Sequence, residues 1–206
     1  MRRWRLVESP LSNIFDQMQL DRELFEAFIQ DQETPPLLRI FQVNQPGMTV
    51  GRLHPAAKSV CVRPTGGGVV CHGNDLIYSV MARRDSFPTF HQVRTSYLSF
   101  HEAVQAAFFK LNHEPEFFRC DDPGAEKNSR ALPRLEDCFQ KPVPTDVKWK
   151  GKKIAGGAQW RRREGFLHQG SVQLIPEIDF GRLKTALIQA FEEKFEIEFE
   201  KNQLIH

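Results

Sequence analysis

Three consecutive glycines, Gly66, Gly67 and Gly68, follow Arg63-Pro64-Thr65 and precede the apolar run Val69-Val70-Cys71. Backbone without β-carbons admits φ > 0 and lets its N–H groups come close to an anion or a carbonyl oxygen. Segments of strand character at residues 59–63 and 76–82 flank it, which predicts glycines held at a sheet edge where a ligand reaches them. The spacing fits neither GxxxxGK[ST] nor GxGxxG, so a P-loop and the dinucleotide fingerprint are excluded. On these residues alone a tight turn with no ligand is an equally good reading.

The remaining pattern supplies the scaffold. Between residues 12 and 30, Ile14, Met18, Phe25, Phe28 and Ile29 fall near one helical face, with Asp16, Asp21, Arg22, Glu23 and Glu26 elsewhere; Thr34-Pro35-Pro36 ends this helix. Residues 37–43 and 48–52 read as strands. From residue 90 to 112, Val93, Tyr97, Phe100, Val104, Phe108 and Leu111 recur at helical spacing and predict a long helix packed on the sheet. Residues 121–133 read as a loop. Residues 146–149 and 152–160 read as a hairpin about Lys150-Gly151, and 166–175 as a third strand after Arg161-Arg162-Arg163, which is expected to be a solvated turn. Asp179 is placed to cap a final helix whose Phe180, Leu183, Leu187, Phe191 and Phe195 share a face. Adjacent hairpins with three helices argue for one α+β domain over residues 1–206 rather than a doubly wound parallel sheet.

Composition narrows the function classes. A net charge of +2 with 26% charged residues lacks the basic excess of a nucleic-acid or polybasic membrane binder. The basic start Met1-Arg2-Arg3-Trp4 leads into no apolar segment of the signal-peptide kind, and no window resembles a membrane span. Cys61, Cys71, Cys120 and Cys138 form no CxxC pair and stand at no zinc-finger spacing, so neither a disulfide framework nor a metal site is expected, and the cytoplasm is the expected compartment.

Two residues carry candidate chemistry. Alternation puts Lys152 and Lys153 on opposite faces of a strand, so if one faces solvent the other points inward, where it needs an anion or a polarised carbonyl. Ala155-Gly156-Gly157-Ala158 beyond it leaves space for a substrate beside the ammonium. A strand edge with two exposed lysines is the competing reading. Cys138, in Glu136-Asp137-Cys138-Phe139, lies where a loop enters the same hairpin. A thiol with a pKa near 8.5 is only a few per cent ionised at neutral pH. An ammonium about 4 Å away, at an effective dielectric of about 20, is worth up to about 4 kcal/mol, enough to lower that pKa by at most about 3. Lys153 is thus able to activate Cys138 if Glu136 and Asp137 point into solvent.

The set Arg-Pro-Thr-Gly-Gly-Gly, His72-Gly73-x-Asp75-Leu76-x-Tyr78-Ser79, Cys138-Phe139, Gly151-Lys152-Lys153-Ile154-Ala155-Gly156 and Leu167-His168-Gln169-Gly170-Ser171 resembles the lipoate-protein ligase and octanoyltransferase family. The resemblance implies a mixed, largely antiparallel sheet flanked by helices, similar to the biotin-protein ligases and the catalytic core of class II tRNA synthetases. It implies transfer of an octanoyl or lipoyl group to one lysine of a lipoyl domain, in the glycine-cleavage H protein or the E2 component of 2-oxoacid dehydrogenases. In the cysteine-dependent subgroup the donor is octanoyl-acyl carrier protein, the intermediate is a cysteine thioester and no cofactor is needed. Cys138 and Lys153, fifteen residues apart, match that subgroup and would be nucleophile and activating lysine. By the same resemblance Arg63, Gly67, Gly68, Val69, Val70, Cys71 and His72 would line or border the acyl pocket; for His72 a purely structural role is as good a reading. Burying the six or seven methylenes of an octanoyl tail at about 0.8 kcal/mol each supplies on the order of 5 kcal/mol.

Two other readings accompany this one. In an ATP-dependent lipoate ligase, using ATP and magnesium, Lys153 would bind an acyl-adenylate and Cys138 would be structural. A non-catalytic acyl- or lipoyl-domain-binding subunit is suggested by the short segment at residues 53–59, where relatives carry a longer insert. Val62 replaces an arginine, and Gly157 stands where serine is frequent. The end of the chain at His206, with no accessory C-terminal domain, favours the transferase.

Overall fold

The computed structural model describes residues 2–54, 60–119, 121–122 and 142–201. Its main sheet contains β1 (Arg2–Glu8), β2 (Leu37–Phe41), β6 (Asp75–Ala82), β7 (Glu116–Phe117), β8 (Val147–Trp149), β9 (Lys152–Arg161), β10 (Phe166–Gln173) and β11 (Ile197–Lys201). Their spatial order is β11-β1-β2-β6-β10-β9-β8-β7. The β11–β1 and β1–β2 pairs are parallel, and the others, from β2–β6 to β8–β7, are antiparallel. A second, three-stranded sheet has the order β4-β3-β5, from β3 (Gly47–Gly51), β4 (Cys61–Arg63) and β5 (Val69–His72).

Helices α2 (Val93–Lys110) and α3 (Phe180–Phe195) cover one face of the main sheet, while α1 (Ile14–Gln30) and the small sheet cover the other. Alternation along β6 sorts its residues between the two: Leu76, Tyr78, Val80 and Ala82 join the α2–α3 core, and Ile77 and Met81 join the clusters under α1. All eight β6 residues are buried, as expected for a strand covered on both sides. An aromatic knot of Trp4, Phe90, Phe100, Phe166, Phe191 and Phe195, with ring centroids 5.2 to 6.4 Å apart in the contacting pairs, fills the α2–α3 side.

Several boundaries follow from local chemistry. Asn13 accepts the Asp16 N–H at 3.0 Å and starts α1; Asp179 accepts the Arg182 N–H at 2.8 Å and starts α3, as the sequence suggested. Three expectations need correction. Asp21 is not on the outer face of α1 but fully buried. Val93, counted in the inward stripe of α2, is exposed. Arg161 is the last residue of β9 rather than part of a solvated turn: its guanidinium donates to Gln159 Oε1 at 2.9 Å and Ser96 Oγ at 3.1 Å and lies 4.7 Å from the Phe166 ring centroid. Strands β1, β5, β7 and β11 had no separate signal; β1 and β11 mix charges into their pattern because both lie at one end of the sheet, where Arg3 pairs with Glu200.

The buried Asp21 is balanced by Arg39, which interrupts the otherwise apolar β2. Neither side chain is exposed, and Arg39 Nη1 lies 2.7 Å from Asp21 Oδ1. Asp21 Oδ2 accepts the Ser79 hydroxyl and the Gln169 amide, each at 2.6 Å. Arg39, Ser79 and Gln169 are register partners across β2, β6 and β10, so one carboxylate from α1 spans three strands. Removing one partner of a buried, hydrogen-bonded ion pair strands the other charge. Asp21→Ala is therefore expected to destabilise the fold by about 3–5 kcal/mol in urea unfolding; a loss below about 1 kcal/mol would show that the network is not a structural anchor.

Candidate active site

The glycine turn connects β4 to β5 by crossing the end of β3: Gly51 N–H donates to Gly67 O at 3.2 Å and Arg52 N–H to Thr65 O at 3.0 Å. Arg63, 6% exposed, staples it. Its Nε and Nη2 donate to Gly66 O at 3.0 and 2.7 Å, Nη2 also to Gly68 O at 2.8 Å, and Nη1 to Thr49 O and Oγ1 at 3.3 and 3.2 Å. Three of these bonds shape the turn and two tie it to β3. Among the three glycines Gly67 alone has positive φ, 91°, and a β-carbon there would lie 2.7 Å from Arg63 Nη2.

Behind the turn runs a second polar chain. His72 Nδ1–H donates to Asp75 Oδ2 at 2.7 Å, leaving Nε2 to accept from the Thr49 hydroxyl at 2.9 Å. Ser171 Oγ donates to Asp75 Oδ2 at 2.6 Å and the Gly73 N–H to Oδ1 at 3.0 Å. Pairing of Val70 with Thr49 and Cys71 with Met48 sends Val70 and His72 to one face of β5 and Val69 and Cys71 to the other. Of the residues that the resemblance puts at the acyl pocket, those of β5 divide between its two faces: Val69 is buried, Val70 half-buried and Cys71 exposed.

Lys153 points inward, as its alternation with the exposed Lys152 allowed; its side chain is 7% exposed. The anion it meets is Asp146, with Nζ 2.6 Å from Oδ2, a partner that sequence reading missed because Asp146 had been assigned only to a hairpin end. Gly156 and Gly157 make room for the protein's own side chains. A β-carbon at Gly156 would lie 2.8 Å from Lys153 Nζ, and one at Gly157 would lie 2.5 Å from the His168 ring. The β-carbon position of Gly67 is 3.9 Å from the Ala158 β-carbon. Gly156 and Ala158 pair with Ser171 and Gln169 and share a face of β9. Ammonium and glycine turn therefore stand over the same strand face, above positions about 7 Å apart along it. Thr65 ties the turn there, its hydroxyl donating to Gln169 Oε1 at 2.7 Å.

Cys138, Glu136, Asp137 and Cys120 lie outside the described residues, as does most of the expected loop at 121–133 and residues 55–59. Of the described cysteines, Cys61 is buried and its burial pushes the thiol up to about 11, which makes it inert at neutral pH. Among the described residues no group of three or more His, Cys, Asp or Glu side chains is placed to hold a metal ion, and no helix is long and apolar enough to cross a membrane.

These residues match the lipoyl protein ligase A/B catalytic domain over positions 13–201. The chain belongs to that family. It is 30% identical to the octanoyltransferase LipM of Kyrpidia tusciae over 94% of its own length and 77% of that protein's. Across curated LipM relatives the chain spans between 65% and 77% of their length. Among solved structures, a lipoate-protein ligase A bound with ATP superposes with a TM-score of 0.72 at 20% identity, covering all of this chain and 90% of the other. A bipartite lipoate protein ligase of Thermoplasma acidophilum, studied with its E2 lipoyl domain, gives 0.69 at 18%, covering all of this chain and 88% of the other. The α+β architecture expected from the motifs is thus the observed one.

Two predictions follow from the buried charges and rings. Asp146→Asn keeps an oxygen acceptor for the Val143 N–H, which the carboxylate binds at 2.8 Å, but removes the counter-charge of Lys153; a loss of about 3 kcal/mol is expected in urea unfolding. His101 and His168 are fully buried, and burial holds both below the ordinary histidine value, His168 well below. The unfolded chain takes up protons that the folded one refuses, so stability is full above about pH 6.5 and falls by up to about 1.4 kcal/mol per pH unit for each ring as the pH drops toward the folded values. Urea unfolding at pH 7.5 and 5 should show that fall, and His168→Phe should reduce it; an unchanged slope would contradict the assignment.

Proposed function

We propose that the chain is an octanoyltransferase of protein lipoylation, moving an octanoyl group from acyl carrier protein, through a thioester on Cys138, to a lysine of a lipoyl domain. The acceptor is the glycine-cleavage H protein or the E2 component of a 2-oxoacid dehydrogenase, and the reaction is cytoplasmic. The observation that carries this reading is the 30% identity to an octanoyltransferase along 94% of the chain. A buried ammonium on β9, with the glycine turn over the same strand face, supports it. The likeness to the ATP-bound ligase, at 20% identity, speaks to the fold.

In the proposed reaction the Cys138 thiolate adds to the carbonyl of the carrier-bound thioester. The carrier sulfur leaves and takes up a proton, and the octanoyl group stays on Cys138. The neutral amine of the acceptor lysine then adds to that carbonyl, loses a proton and expels the Cys138 thiolate, leaving an amide. Each acyl bond forms at the expense of a thioester, so neither ATP nor magnesium is consumed. Lys153 presents N–H donors on a flexible stem, suited to an oxyanion that develops in both additions. Held by Asp146, it is poised without being left as an uncompensated buried charge.

Transfer from octanoyl-acyl carrier protein to a purified lipoyl domain, measured without ATP, tests the reading. Wild type should turn over, Cys138→Ala should lose about 1,000-fold or more and Lys153→Met about 100-fold in kcat. Transfer that requires ATP and free lipoate and survives Cys138→Ala would instead make the chain a ligase. Partner binding without turnover under either regime would make it a non-catalytic subunit.

A further inference from the structure

We propose that His101, buried in α2 at 1% exposure, is a positioning residue for Lys153; this rests on the reading of Lys153 as the oxyanion-binding group. The connection is continuous. His101 Nδ1–H donates to Thr145 O at 2.6 Å, a contact between a helix and the turn that leads into β8. The next residue, Asp146, donates its N–H to Val143 O at 3.0 Å, closing a four-residue turn with Pro144 second and Thr145 third. Thr145 has φ 82°, in the third position of a type II turn, where glycine or asparagine is the usual choice and a β-branched residue is an outlier. A strained residue of this kind persists only where its surroundings fix it.

The peptide plane between Thr145 and Asp146 is fixed from both ends, its oxygen by His101 and its N–H by Val143 O. That plane sets the direction in which the Asp146 side chain leaves the backbone. The Asp146 carboxylate then accepts the Val143 N–H at 2.8 Å and holds Lys153 Nζ at 2.6 Å. With Nδ1 committed as donor, His101 Nε2 is an acceptor, and it has no hydrogen-bond partner among the described residues. One donor is therefore the whole polar contribution of this buried ring in the described structure, and it goes to the turn that aims Asp146.

The test compares variants that differ in that donor. His101→Asn retains an amide N–H near the Nδ1 position; His101→Leu removes it, and His101→Phe, which keeps a ring's bulk, is read in its place if the leucine variant does not fold. The ¹³Cε resonance of Lys153, in protein labelled with ¹³C-lysine and assigned by its loss in Lys153→Arg, reads the ammonium directly. The expected result is a resonance displaced toward that of exposed lysine in the variant without the donor, with kcat for transfer down about tenfold and KM within about twofold. His101→Asn should restore both to within about threefold of wild type. An unmoved resonance in a folded donor-free variant, or an asparagine variant that behaves as the leucine one does, overturns the proposal. Should wild type show no transfer, the reading of Lys153 fails, while the resonance still decides whether His101 positions it.

Discussion

One carboxylate, Asp21, accepts hydrogen bonds from residues of three adjacent strands, Arg39 of β2, Ser79 of β6 and Gln169 of β10. These three and Ala158 form one row across the sheet, and the Gly67 turn rests over Ala158 at the row's end. A slip of one residue in any strand would send its polar member to the opposite, aromatic face, so the network specifies register as well as stability. Gln169 carries the constraint to the site, because its amide N–H serves Asp21 while its oxygen takes the Thr65 hydroxyl. The glycine turn is thereby tied to the strands on which Lys153 depends. Function of the proposed kind needs groups held to a fraction of an ångström, and a buried network with each member bonded provides it.

The next row repeats the design. Ile77, Ser171 and Gly156 are register partners; Ser171 donates to Asp75, which orients His72 toward Thr49, itself bound by Arg63, while Gly156 leaves the room that Lys153 occupies. Small residues in β9 therefore serve the protein's own side chains. A serine at position 157 would have to displace the His168 ring, which accepts from Gln159 and donates to Tyr78.

The inward stripes of α1 and α3 repeat near 3.6 residues and made those helices legible, while β6, buried along its whole length, showed as a short apolar run. The same method hid the network. Asp21 within α1 and Arg39 within Leu37-Leu38-Arg39-Ile40-Phe41 look like exceptions to an apolar rule, and only their meeting in space explains either. Alternation allowed one of Lys152 and Lys153 to point inward without saying which, and the partner Asp146 was not legible, because the bond depends on a turn held by a helix some forty residues earlier in the chain. Electrostatics allowed Lys153 to activate Cys138, but it was the motif resemblance that singled out Cys138 as nucleophile.

On the proposed reading, acyl transfer passes through covalent chemistry on Cys138, and one frame holds Lys153 and the glycine turn together. Acid-quenched intact-mass measurement after mixing the protein with octanoyl-acyl carrier protein, in the absence of nucleotide, tests this most directly. A single octanoyl adduct is expected that maps to Cys138, is removed by hydroxylamine and disappears when a lipoyl domain is added. Turnover with no such adduct, or an acylated species that forms only from free acid and ATP, would contradict it.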